Sequence, residues 1–85
     1  MRELPRQVIR ERRFERELRA LISDARVADA YVEGAEFVLA REPEAGEPIS
    51  PAVWVMPMAP VKGRQVALYY AFDESTVWLL SIASV

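Results

Sequence analysis

Residues 66–82 read V-A-L-Y-Y-A-F-D-E-S-T-V-W-L-L-S-I, two apolar runs separated by a short polar break. In the first run Val66, Leu68, Tyr70 and Phe72 alternate with Ala67, Tyr69 and Ala71, the period of a strand with one face in a core. The second run, residues 77–82, is almost continuously apolar, which also suits a strand. Between them Asp73, Glu74, Ser75 and Thr76 are turn formers, so the two runs make an antiparallel hairpin.

Working back from the hairpin, Val53 and Val55 alternate with Trp54, Met56 and Met58, which predicts a third strand. Pro57 and Pro60 cannot donate to a ladder, so that strand frays or presents a free edge there. Residues 42–48, E-P-E-A-G-E-P, form an acidic, turn-rich connector. Ahead of it the period changes. Phe14, Leu18, Leu21 and Ile22 recur at i, i+4, i+7 and i+8, one face of a helix beginning near Arg12, with Glu15 and Arg19 as an i, i+4 pair on its outer side.

Ser23 or Asp24 is placed to cap a second helix running to about Arg41, where Pro43 restricts Glu42 and stops it. Its buried stripe is expected at Val27, Tyr31, Gly34 or Ala35, and Val38, with Ala28, Val32 and Leu39 alongside. Gly34 in mid-helix predicts close packing on the first helix. Gln7 to Glu11, with the apolar pair Val8 and Ile9, reads as a leading strand. The order is strand, helix, helix, strand, strand, strand, an α+β fold with a helical hairpin on one face of a small, mainly antiparallel sheet.

The chain has 85 residues, which suits one domain over residues 1–85. A core this small is modest, and a partner would add to it, whether a second copy in a homodimer or a different protein. With no cysteine and no histidine, there is no thiolate nucleophile, no Ser-His-Asp triad and no imidazole metal site. Catalysis would have to rest on Arg, Lys, Tyr, Asp or Glu. Neither a metal nor another cofactor is expected, since Glu42, Glu44 and Glu47 sit on no rigid element that would converge them. The apolar runs are too short to cross a bilayer and the N-terminus is charged, so a cytoplasmic protein without membrane association is expected.

Net charge is −2, yet Arg2, Arg6, Arg10, Arg12, Arg13, Arg16, Arg19 and Arg26 crowd the first 26 residues. Interspersed with Glu11, Glu15 and Glu17, the run Arg10, Arg12, Arg13, Arg16 and Arg19 reads as a solvated helix face. Alternatively Arg12, Arg16 and Arg19, at i, i+4 and i+7, form a basic stripe suited to a nucleic-acid backbone or an acidic target.

The element order and two stretches, R-R-F-E-R-E-L-R-A-L at 12–21 and the hairpin at 66–82, resemble the RelE/ParE superfamily, toxins of bacterial type II toxin–antitoxin pairs. The resemblance covers almost the whole chain and implies a cognate antitoxin as partner. It implies the ribosome with its messenger RNA, or DNA gyrase, as target. Some members are ribosome-dependent messenger-RNA endonucleases, others gyrase inhibitors. In nuclease members basic residues lie on the central strands, an arginine enters the following strand, and further Arg and Tyr groups lie in the tail.

Metal-free RNA cleavage needs cations on the phosphate and a group that moves the 2′-OH proton. Arg64 falls at the strand-entry position, with Lys62 beside it and Tyr69 or Tyr70 as the only tyrosines nearby. The preceding strand, V-W-V-M-P-M, has no lysine, and the chain after Ile82 is Ala83-Ser84-Val85, without a basic tail. A complete nuclease site is therefore not expected, and the reading favours inhibition by target binding. Two alternatives stand beside it: a nuclease using Arg64 and Lys62 with Tyr69, and an interaction module without toxicity. Lys62-Gly63-Arg64 also reads as a plain solvated turn. Trp54 and Trp78 read either as core or as anchors for a partner peptide.

Overall fold

A computed structural model describes residues 4–85; Arg2 lies outside them. The elements, in chain order, are β1 (Gln7–Arg10), α1 (Arg12–Leu21), α2 (Ala25–Arg41), a short 3₁₀ turn (Pro43–Ala45), β2 (Glu47–Pro48), β3 (Trp54–Val61), β4 (Arg64–Phe72) and β5 (Thr76–Ser84). They form one sheet ordered β1-β5-β4-β3-β2, antiparallel except for β1, which runs parallel to β5. The α+β class and the six-element order expected from sequence are what the chain adopts. The connector was read as turn alone, and there the structure adds the two-residue strand β2, whose Glu47 and Pro48 pair with Val55 and Trp54. Two residues, one of them a proline, carry no alternating pattern that could announce a strand.

The β4–β5 hairpin turns where Asp73 accepts hydrogen bonds from the N–H groups of Ser75 (2.8 Å) and Thr76 (2.9 Å), a side-chain turn built by one carboxylate. Val66, Leu68 and Tyr70 of β4 and Val77, Leu79 and Ile82 of β5 point at the helices and are fully or almost fully buried. An irregularity between Tyr69 and Tyr70 accommodates one extra residue on β5, which keeps both apolar sets on the helix side. Phe14 and Leu18 of α1 and Ala28, Val32 and Leu39 of α2 close this core.

Asp24 caps α2, its Oδ1 accepting from the N–H groups of Arg26 (3.0 Å) and Val27 (3.1 Å). The buried stripe of α2 differs from the expected one. Ala28, Val32 and Leu39, expected only alongside, are fully inside; Tyr31 and Ala35 of the expected stripe pack half-buried against the core, whereas Val27 is 55% and Val38 38% exposed. Two overlapping apolar stripes run along this helix, and polar anchors decide between them. Arg10 of β1 binds Asp29 and Glu36 on one flank, and the Tyr31 hydroxyl donates to the Ala59 carbonyl on the other. Gly34, expected against α1, is instead exposed, and a Cβ added there would meet nothing. Glu15 likewise pairs with Arg10 at 3.0 Å instead of Arg19.

Both outer edges of the sheet carry a device against uncontrolled pairing. β1 accompanies β5 only as far as Leu79, and there α1 takes over: Glu17 accepts from the Ile82 N–H (3.2 Å) and the Ser81 hydroxyl (2.6 Å). Burial works to raise the Glu17 carboxyl, but the hydrogen bonds from Ser81, Ile82 and Arg13 outweigh it and hold the carboxyl below its ordinary value. On the far side β2 covers β3 only at Trp54 and Val55; past them the edge carries Pro57 and Pro60, with an irregularity between Met58 and Val61. The free edge expected from the prolines is present.

Candidate functional site

Lys62 and Gly63 connect β3 to β4 as a two-residue loop, both with positive φ (51° and 77°), closed by the Val61–Arg64 pair. That is the hairpin geometry that matches the twist of adjacent strands, and Gly63 enters it without steric cost. Lys62, Gly63 and Arg64 are all exposed. Tyr69 lies five residues along β4, about 17 Å away at ~3.3 Å per residue. Its parity also differs: Leu68 and Tyr70 face the helices, so Tyr69 projects from the opposite, open face. Arg64 and Lys62 thus share the hairpin tip, while Tyr69 stands apart from them.

The open face is composed of Val55 and Pro57 of β3, Ala67, Tyr69 and Ala71 of β4, Trp78 and Ser81 of β5 and Ile9 of β1, by register. Glu47, opposite Val55, adds an acid. Among the described residues no arginine or lysine is in register on this face, and the surface is apolar with a phenol at its centre. Such a surface suits protein contact and offers nothing to hold a phosphodiester.

Tyr70 is fully committed to structure. Its buried hydroxyl donates to the Pro43 carbonyl (2.6 Å) and accepts from the Gly46 N–H (3.1 Å), and burial raises its pKa. Gly46 is required there, since a Cβ would collide with the Val55 carbonyl and the same hydroxyl. Tyr70 is thus a core residue and not a free phenol.

The two tryptophans separate. Trp54 packs on the helix side in an aromatic cluster, 6.4 Å from Tyr70 and 5.3 Å from Phe72 between ring centroids. Trp78 is half-buried on the open face between Ile9 and Ala71. A shallow apolar groove lies between the α1–α2 corner and the β3–β4 hairpin, lined by Leu21, Ile22, Val27, Tyr31 and Val61.

The arginine run also divides. Arg10, read from sequence as one of a solvated series, is only 22% exposed and binds three carboxylates: Glu36 through Nε and Nη2 (2.8 and 3.0 Å), Asp29 (2.8 Å) and Glu15 (3.0 Å). Glu36 above all raises its pKa further. The signal was present in the period of β1, because Arg10 shares the helix-facing parity of Val8. Arg12, Arg16 and Arg19 are exposed, on the side of α1 opposite Phe14 and Leu18.

No family model matches the sequence, and no curated protein matches it. Among solved structures, a chain of the RelBE2 toxin–antitoxin complex from Mycobacterium tuberculosis superposes with a TM-score of 0.70 and 26% sequence identity, covering 99% of this chain and 95% of that one.

Proposed function

From the premise that the chain is of the RelE/ParE superfamily, with a RelE-type toxin fold, we propose that it is the toxin of a type II toxin–antitoxin module, held by a cognate antitoxin in the cytoplasm and acting by binding its target. The observation that carries the binding reading is the open sheet face. Tyr69, Trp78, Val55 and Ala71 make it apolar, and among the described residues the one charged group in register there is the acidic Glu47. A phosphate cradle needs cations at that place. The nuclease alternative is further weakened by the distance between the Arg64 tip and Tyr69. The target is the translation machinery or DNA gyrase, and Arg64 with Lys62 is a contact at the rim.

Within this reading Trp78 is the antitoxin anchor. It is a large aromatic on an apolar, half-exposed face, the chemistry that dominates protein interfaces. Trp54, locked into the aromatic cluster, belongs to the fold. The test is co-purification and titration with the product of the neighbouring reading frame. Trp78→Ala should weaken that complex at least tenfold while melting close to the parent, and unchanged affinity would remove Trp78 from the interface.

A further inference from the structure

We infer that the outer face of α1 is a docking surface for a nucleic-acid phosphate backbone, built from Arg12, Arg16 and Arg19. In the sequence these arginines alternate with glutamates, which would neutralise them. In the fold Glu15 and Glu17 are drawn elsewhere, and Glu11 is left at the N-cap, before the first turn of α1. Glu15 turns to Arg10, and Glu17 turns to the β5 edge, where it binds Ser81 and the Ile82 N–H and takes Arg13 as its ion-pair partner. Among the described residues, none of the ion pairs involves Arg12, Arg16 or Arg19. All three are exposed.

Their geometry is regular. With Phe14 and Leu18 fully buried, a rotation of 100° per residue places Arg12, Arg16 and Arg19 within a sector of about 60° on the far side of the helix. At ~1.5 Å per residue they span about 10 Å along its axis, the length over which one strand of a duplex presents about three phosphates. α1 is rigid at this place, because its inner face is in the core and its flank is bonded to β5. Arginine forks on a fixed element suit phosphate oxygens, and three such contacts supply affinity without sequence readout. An acidic protein is the less suitable occupant, since nothing apolar lies between the three arginines to support a protein interface, Ala20 being the nearest exposed apolar residue.

The surface lies on the helix side, away from the open sheet face, and the inference does not depend on the antitoxin reading. Its test is fluorescence anisotropy of the full chain with labelled duplex RNA and duplex DNA of one sequence, about two helical turns long, between about 50 and 200 mM salt. Three contacts predict a slope of log K against log salt of about −2.7 on DNA, an affinity loss of about 40-fold over that range. Each of Arg12→Gln, Arg16→Gln and Arg19→Gln should reduce the slope by about 0.9, whereas Arg26→Gln on α2 should leave it unchanged. The triple variant should lose at least tenfold in affinity at the lower salt. Binding of both duplexes assigns a general backbone contact, and binding of RNA alone assigns RNA; either supports the inference. It is overturned if the parent binds neither duplex, if the glutamine variants keep its affinity and slope, or if it takes a polyglutamate peptide in preference to both duplexes. Should the triple variant melt early, the slopes of the single variants decide.

Discussion

Replacing Arg10 by methionine tests whether one arginine of the N-terminal run is structural while its neighbours are not. The substitution removes four hydrogen bonds to three carboxylates and leaves Glu36, whose side chain is 22% exposed, without its bidentate partner. Breaking a fully buried pair costs about 3–5 kcal/mol and breaking an exposed one about 0–1. The Arg10–Glu36 pair lies between these limits, and the more exposed Glu15 and Asp29 (46% and 61%) add a few tenths each. The expected loss is about 2–3 kcal/mol. In a domain this size each kcal/mol is worth about 4–8 °C, so the melting temperature should fall by about 10–20 °C. Urea unfolding and far-UV circular dichroism measure both quantities. Arg10→Met with Glu36→Leu should recover part of the loss, because the uncompensated carboxylate is then gone. Arg12→Gln, Arg16→Gln and Arg19→Gln should each stay within about 0.5 kcal/mol of the parent. A cost below about 1 kcal/mol for Arg10→Met would refute the reasoning and return Arg10 to the solvated series.

Gly34→Ala should stabilise the isolated chain by about 0.5–1 kcal/mol, since the helix gains propensity and the added methyl meets nothing; destabilisation in urea would mean the helix is packed differently. Glu17→Gln should cost about 1–2 kcal/mol at neutral pH. Because the folded carboxyl titrates below its ordinary value of 4.5, this stability is full above that pH and lost as pH falls through the folded pKa. The parent and Glu17→Gln unfolding curves should therefore converge on acidification, and a gap that stays constant to low pH would contradict the β5-edge role. Trp54→Ala should cost about 3–5 kcal/mol through loss of its contacts with Tyr70 and Phe72, whereas Trp78→Ala should cost clearly less, as differential scanning calorimetry would show.

The strands and helices that could be read from sequence were those with a long, consistent period. The alternation of Val66, Leu68 and Tyr70, the apolar run of β5 and the Phe14–Leu18 spacing all survive in the core, because local pattern and tertiary packing agree there. α2 was legible as a helix but not in its rotation. Its apolar residues occupy well over half its circumference, and the choice between stripes rests on Arg10 and Tyr31, which act across about 20 to 30 residues of sequence. β2 is too short to have a period. In the candidate site, the turn at Lys62-Gly63 was readable from the glycine. The separation of Arg64 from Tyr69 needed the strand's length and parity, and the freeing of Arg12, Arg16 and Arg19 needed to be seen, since it depends on where Glu15 and Glu17 go. The family resemblance drew on the order of elements over the whole chain, which the superposition at 26% identity bears out.

Induced expression of the chain, alone and with the neighbouring reading frame, measures the central claim most directly when growth and messenger-RNA integrity are followed together. The account predicts growth arrest that the neighbour relieves, with messages left uncut in the parent and in Arg64→Ala alike. Arrest accompanied by message cleavage that disappears in Arg64→Ala would contradict the binding mechanism, and normal growth with or without the neighbour would contradict the toxin reading itself.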